Sequence, residues 1–328
     1  MKRLLTAVLA TATLALAACG SGGGSAAGDG PVDLSTVTLK VGDQAGIQQA
    51  LVEASGALQG APYKVEWAQF PAAAPVLEAL RGKAVDIGVA GDAPTLTALS
   101  STDDIKIVAA TKVPQQYGLS VIVPKDSPIQ SVADLKGKTV SPTTQGSVGH
   151  YLLLQALKEA GLTDSDVTIS FLQPVDAAAA MSSGAIDAWS TWDPYTAVAE
   201  QEQGARVLRG PDGLAPGLTF LDANTDALED AGKKQAMQDF ISRYGKAVRW
   251  AADHPTENAA IYTKLTQRPA AVADLMSQRA NRSLVPLDQA LVGEIQTVAD
   301  NYEAFGVLRK KVEVSEAVQD LSPATTSS

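Results

Sequence analysis

Ala79-Leu80-Arg81-Gly82-Lys83-Ala84-Val85-Asp86-Ile87 and, later in the chain, Met181-Ser182-Ser183-Gly184-Ala185-Ile186-Asp187-Ala188 follow one plan. Each closes an apolar helix, makes a small turn and enters a short strand that carries one aspartate. Around each copy, apolar β-rich runs alternate with helical ones, the pattern of a parallel sheet covered by helices. Two such blocks in one chain predict two similar lobes.

Working outward from the first copy, strands are expected at Val37–Gly42, Tyr63–Trp67, Val85–Val89 and Ile105–Ala109, with helices at Gly46–Leu58, Pro75–Arg81 and from Asp92. Leu119–Val123 follows, and Pro124 and Pro128 interrupt the run, which reads as a crossing between lobes. Around the second copy, strands are expected at Lys138–Val140, Val167–Phe171, Ala185–Trp189 and Ala205–Leu208, with helices at Ser147–Ala160, Asp176–Ser182 and Tyr195–Gln201. From Leu218–Leu221 the chain crosses back, and helical patterns run to the end. The expected division is 36–123 with 222–318 as lobe 1 and 124–221 as lobe 2. Such a fold leaves a cleft where strand C-termini and helix N-termini converge, the usual ligand position in open α/β sheets.

The chain begins with Lys2 and Arg3 ahead of an apolar run that closes on Leu16-Ala17-Ala18-Cys19. This reads as a lipoprotein signal peptide over 1–19, too short and wrongly flanked for a stable membrane span. Cys19 is the only cysteine, so it is the expected lipid carrier and no intramolecular disulfide is possible. The Gly- and Ser-rich stretch over 20–35 offers little to bury and is expected to be a flexible tether. The folded part is then extracytoplasmic and lipid-anchored at the cell membrane, on its periplasmic side or at the cell surface. Without Lys2 and Arg3 the chain keeps 24 basic against 36 acidic residues, a formal net charge of −12. No basic stripe is present to neutralise phosphates, which argues against nucleic acid as a partner.

The strongest candidate site is Thr143-Thr144-Gln145-Gly146-Ser147-Val148-Gly149-His150, between a short strand and a long helix. Unpaired amides at a helix start and the positive end of its dipole favour an anionic oxygen group, with Thr144 and Ser147 as further hydroxyl donors. An ordinary Ser/Thr helix cap explains the same letters. A serine nucleophile fits poorly, because a nucleophile elbow needs glycine two residues before the serine and Gln145 stands there. Two histidines and one cysteine also leave little for a transition-metal site, so no metal, no cofactor and no catalytic residue is expected. Gly91-Asp92-Ala93-Pro94 is a second cleft element, with Asp92 expected as its helix cap. In Trp189-Ser190-Thr191-Trp192-Asp193-Pro194-Tyr195 one indole is expected in the core and Trp192 in the cleft. Gln44 completes the set with side-chain and main-chain donors.

These stretches resemble the aliphatic-sulfonate-binding proteins of ABC importers and their taurine- and nitrate-binding relatives. The resemblance rests on Phe70-Pro71 with Val76–Leu80, on Asp86-Ile87-Gly88 leading to Gly91–Pro94, on Ser131–Lys138, and on Asp187-Ala188-Trp189 through Tyr195. It implies a two-lobed type II periplasmic-binding-protein-like α/β fold, each lobe a mostly parallel sheet flanked by helices, that captures a solute for a permease and its ATPase subunit. It also implies a monomer that does no chemistry. Carried over residue by residue, the ligand positions are Gln44, Gly91, Asp92, Gly146, Ser147, His150 and Trp192, beside Thr144, Gln145 and Asp193. Gln116 and Tyr117 are expected along a tail pocket. Where relatives read Gly-Ser-Ser-Ser-His, this chain has Gly146-Ser147-Val148-Gly149-His150, which removes hydroxyl donors.

The expected ligand is a small organic monoanion, an organosulfonate taken up as a sulfur source, because the main motifs offer dipoles, amides and hydroxyls and no arginine. Taurine, nitrate and a thiamine-type pyrimidine precursor are alternatives on the same fold, and a surface hydrolase a more distant one. A cationic or neutral ring would need a cleft carboxylate, which makes Asp193 decisive.

Overall fold

The repeated aspartate does the same work in both copies. In the computed structural model, which describes residues 32–113, 118–279 and 281–323, the Asp86 amide donates to the Lys40 carbonyl at 2.8 Å while its carboxylate accepts the Lys40 amide at 2.9 Å. The Asp187 amide donates to the Thr139 carbonyl at 2.7 Å and its carboxylate accepts the Thr139 amide at 2.9 Å. Each aspartate therefore clamps the start of the neighbouring parallel strand. The turn before it also repeats: Lys83 in one copy and Gly184 in the other take positive φ, 59° and 74°. The left-handed position of the first copy is thus Lys83, not Gly82. Truncating Asp187 to alanine is expected to cost about 1–2 kcal/mol, the loss of a charge-assisted hydrogen bond. Asp86→Ala is expected to cost more, because the same carboxylate also pairs with Lys233 at 2.7 Å. Urea unfolding of the two variants checks both.

Eleven strands among the described residues form two sheets. The first contains β1 (Thr38–Gln44), β2 (Lys64–Phe70), β3 (Ile87–Gly91), β4 (Ile105–Lys112), β10 (Leu218–Asn224) and β11 (Ser283–Val285), in the order β11-β4-β10-β3-β1-β2. The second contains β5 (Leu119–Val123), β6 (Thr139–Ser141), β7 (Thr168–Ile169), β8 (Ala188–Trp192) and β9 (Arg206–Arg209), in the order β7-β6-β8-β5-β9. In each, four strands run in one direction and a strand arriving from the other half inserts antiparallel among them: β10 between β3 and β4, β5 between β8 and β9. Each sheet is thus mostly parallel, as expected, and becomes mixed where the crossing strand enters from the opposite end. Leu119–Val123, expected in the first half, pairs in the second sheet, so the outward crossing precedes Leu119 rather than following Val123. Leu218–Asn224 pairs wholly in the first sheet, so the return precedes Leu218.

Helices cover the sheets: α1 (Ile47–Ala54), α2 (Ala73–Arg81), α3 (Asp92–Leu99), α4 (Val148–Glu159), α5 (Pro174–Ser182), α6 (Tyr195–Gln203), α7 (Thr225–Glu229), α8 (Ala231–Asp253), α9 (Pro255–Thr266), α10 (Ala270–Arg279), α11 (Gln289–Ala304) and α12 (Val314–Ala317). The longest, α8, starts at an Asp230 cap and lays Met237, Phe240, Ile241 and Tyr244 against the first sheet. α11 closes the other face through Ile295, Val298 and Tyr302. The second half centres on Leu152, Leu153 and Leu157 of α4, packed on Val121, Val140 and Ala188. No described helix is long and apolar enough to cross a membrane. The expected signal segment, Cys19 and residues 20–31 of the expected tether lie outside the described residues, as do Gln116 and Tyr117, whereas the last tether residues enter a short 3-10 turn, Leu34–Thr36, capped by Asp33.

Candidate functional site

Strand-to-helix turns from both sheets meet around one cleft of about 490 Å³, within the usual range for small-molecule sites. The first sheet contributes Gln44, Pro71, Gly91 and Asp92, and the second contributes Thr144–Val148 and Trp192–Pro194. Of the expected site residues, Gln44, Gly91, Asp92, Thr144, Gln145, Gly146, Ser147, Trp192 and Asp193 line this space, and His150 does not.

The start of α4 is its most polar wall. Ser147 is the N-cap: its Oγ accepts the His150 amide at 3.1 Å and donates to the Pro142 carbonyl at 2.9 Å. The hydroxyl proton is therefore engaged inside the protein and not offered as a ligand donor. His150 turns its ring back, with Nδ1 accepting the Gly146 amide at 3.1 Å. Burial pushes its pKa down to about 4, so the ring is neutral at physiological pH. The Gly146 N–H is thus taken, and the amides of Val148 and Gly149 are the ones that find no protein acceptor among the described residues. With the dipole of a twelve-residue helix behind them, they form an anion-favouring patch.

Two close approaches fix this patch. A Cβ on Gly91 would fall 2.5 Å from Val148 Cγ1, so the starts of α3 and α4 touch across the cleft. A Cβ on Gly149 would fall 2.5 Å from the Ser190 carbonyl oxygen and 2.9 Å from that of Pro142. Only glycine lets α4 lie this close to β8.

The cap of α3 is Gly91 rather than Asp92, which is its first helical residue. The Asp92 carboxylate accepts the adjoining Ala93 amide at 2.7 Å, and the side chain, 4 % exposed, has no cation beside it. Burial raises its pKa to about 7, with Glu294 adding a like charge. On the opposite wall Trp189 is core, 1 % exposed, with its indole N–H donated to Thr143 Oγ1 at 2.9 Å. Trp192 faces the cleft and meets Tyr195 edge to face at 6.2 Å. Ala73, Leu77 and Ala98 extend an apolar surface along α2 and α3.

Helices α9 and α10 supply groups that no motif announced: Asn258, Tyr262, Met276, Arg279 and, just beyond α10, Arg282. Arg279 spans the two halves, pairing with Asp193 at 3.4 Å and Glu200 at 2.5 Å. The cleft is also bridged by the Tyr195 hydroxyl donating to the Pro71 carbonyl at 2.6 Å and the Tyr302 hydroxyl donating to the Ser147 carbonyl at 2.6 Å. No local motif marks the residues supplied by α9 and α10, which belong to ordinary helical patterns until the fold brings them to the cleft.

Comparison with known proteins agrees with this architecture. The family described as NMT1/THI5 like matches residues 64–258. The chain is 30 % identical over 323 residues to a protein of Escherichia coli (strain K12) named for binding aliphatic sulfonates, covering 97 % of this chain and 95 % of that protein. A Bacillus subtilis (strain 168) protein named in the same way is 29 % identical over 335 residues, covering 98 % and 95 %. Among solved structures, the alkanesulfonate-binding protein SsuA of Xanthomonas axonopodis pv. citri, bound to MOPS, superposes with a TM-score of 0.80 at 29 % identity, covering 86 % of this chain and 98 % of that one. A cleft built from two matched sheets and this breadth of similarity together place the chain in the NMT1/THI5-like family, among the sulfonate-binding periplasmic proteins of ABC-type importers.

Proposed function

We propose that this chain captures an organosulfonate outside the cytoplasm and delivers it to the permease and ATPase of an ABC importer, the two sheets acting as lobes that close on the ligand. The observation that carries the reading is the start of α4, a helix N-terminus with unpaired Val148 and Gly149 amides, whose Val148 lines the same cleft as Trp192. A sulfonate spreads one charge over three accepting oxygens, which suits amide donors, and its organic tail lies against Trp192 and the apolar surface of Ala73, Leu77 and Ala98. Gln44, Gly91, Thr144 and Gln145 complete the wall. Ser147 and His150 act through the loop they brace, and Cys19 anchors the protein by lipid.

Three features weigh against the alternatives. Asp193, the carboxylate that a pyrimidine or other cationic ring would need, is already engaged by Arg279 and by the Ala197 amide at 3.1 Å. Nitrate would leave the apolar wall unused. A Ser-His hydrolase is excluded by geometry, since Ser147 Oγ meets only the main-chain amide of His150 while the imidazole Nδ1 is bonded to Gly146. The family is one of binding proteins.

Thermal unfolding of the signal-free protein with alkanesulfonates, taurine, an aromatic sulfonate, sulfate, nitrate and a pyrimidine precursor tests the reading, since a ligand that binds the folded state raises its apparent stability. Alkane- or arenesulfonates are expected to shift the midpoint and sulfate is not. Trp192→Ala is expected to weaken binding of the longest accepted alkanesulfonate about tenfold, the loss of one aromatic contact. Shifts confined to nitrate or a pyrimidine would overturn the sulfonate assignment.

A further inference from the structure

Asp92 poses an electrostatic conflict that the proposed function has to resolve. Asp92 lines the cleft, 4 % exposed, on the turn whose Gly91 touches Val148 at the anion-favouring start of α4. A bound sulfonate and an ionised Asp92 would share a small space of low dielectric, where like charges repel strongly.

No cation is among the groups that act on Asp92, although Arg81, Arg279, Arg282 and Arg309 line other parts of the same cleft. Helix α3 packs against α2, β3, β10, α4 and α11. From α11 come Glu294, which adds negative charge and is held by Lys112 of β4 at 2.7 Å, and Tyr302. From α4 come His150, neutral as described, and Tyr151, whose phenol burial keeps protonated. From β10 comes Asp222, fully buried and bonded by Thr95 at 2.7 Å. The ionisable residues of α2, Glu78 and Arg81, pair with each other, and β3 has none. Across the cleft, Arg279 is held by Asp193 and Glu200.

We propose that Asp92 meets the ligand as a neutral carboxylic acid, donating its proton to a sulfonate oxygen, so that anion capture is coupled to the uptake of one proton. This rests on the sulfonate reading and deepens it: the site selects an acceptor-only monoanion and takes the missing donor from its own acid. The environment agrees, since burial and Glu294 already hold the pKa near 7 before any ligand arrives, and an adjacent anion raises it further. At pH 6 the acid is largely protonated and capture needs no proton from solvent. Above neutrality the proton must be taken up, and affinity falls with pH.

Calorimetric titration of 1-butanesulfonate into the signal-free protein, in buffers of different ionisation enthalpy from pH 6 to 9, decides the matter. The dissociation constant is expected to rise about tenfold per pH unit above pH 8, with uptake approaching one proton per ligand. In Asp92→Asn both the slope and the proton uptake are expected to vanish. In Asp222→Asn, which alters a second carboxyl raised above neutrality, to about 8, both are expected to remain, and Asp193 and Asp43, raised to about 6, are ionised over the pH 8–9 part of the titration. A wild-type constant independent of pH with no proton uptake at pH 8.5 overturns the proposal, and so does a slope that survives in Asp92→Asn. If Asp92→Asn does not fold, the wild-type buffer comparison still decides. Absence of butanesulfonate binding at every pH overturns the sulfonate reading itself, a different result from pH-independent binding.

Discussion

Replacing Gly149 by serine, the residue that the related loop pattern carries, is expected to weaken ligand binding about ten- to hundredfold and to destabilise the protein by about 2–3 kcal/mol. Counting hydroxyls predicts the opposite, since serine would restore a donor to the loop. The structure explains the reversal. A Cβ at this position meets the carbonyl oxygens of Ser190 and Pro142 at 2.5 and 2.9 Å, both main chain and unable to step aside. The Ser190 hydroxyl also donates to the Gly149 carbonyl at 2.7 Å, which ties the first turn of α4 to β8. Any side chain must push the helix start away from β8 and carry the Val148 and Gly149 amides with it. Those amides are the proposed anion donors, and a hydrogen bond to a charged group contributes about 1.5–3 kcal/mol. Alanine should act like serine, because the conflict is steric. Urea unfolding and calorimetry of both variants check this. Wild-type stability and affinity in Gly149→Ala would place the ligand elsewhere.

What the sequence disclosed follows how local each determinant is. The Asp86 and Asp187 repeat was legible because helix end, turn and strand start lie within a few residues, and each aspartate bonds the adjoining strand. The Ser147 cap and the division of labour between Trp189 and Trp192 were legible for the same reason. The crossing was misplaced because Pro124 and Pro128 look like a boundary, whereas strand membership is decided by partners far away: Leu119 lies opposite Trp192. The direction of the Ser147 hydroxyl was not legible either, since Pro142 and His150 compete for it within the loop. Arg279 was the largest omission. It sits in an ordinary helical pattern, and only the fold brings it to Asp193, 86 residues away in the chain.

That arginine sets up the second large effect: Arg279→Met is expected to lower the affinity for the ligand about tenfold or more and to speed its release correspondingly. Its guanidinium joins α10, on the first-sheet side, to Asp193 and Glu200 on the second, with side chains 20 %, 15 % and 16 % exposed. Removing one member of a buried ionic cluster costs about 3–5 kcal/mol, because the remaining charges keep their desolvation without compensation. Asp193 cannot simply swing clear, since it is packed directly on Gly118, where a Cβ would lie 1.8 Å from its carboxylate oxygen. One carboxylate oxygen of Glu200 already lacks a partner. Separation of the two halves would let water reach both acids, so the penalty falls on the closed arrangement and less on the fold of either half. The ligand must then supply that difference on binding, and its apparent affinity drops by the fraction of molecules still closed. Acid should rescue the variant. Asp193 has its pKa raised by burial to about 6 even with Arg279 pulling it down, so without the guanidinium it lies higher still. A carboxyl raised above its unfolded value near 3.8 favours the folded protein fully below that value and loses the advantage as pH rises through the folded one. Affinity of Arg279→Met is therefore expected to approach that of the wild type at pH 5 and to diverge toward pH 8. Neutralising the partners as well, in Arg279→Met/Asp193→Asn/Glu200→Gln, should recover most of the loss at every pH. Stopped-flow release rates and small-angle scattering with and without ligand separate the two possibilities. An unchanged radius of gyration and release rate in Arg279→Met would show that the cluster packs the surface without holding the halves together.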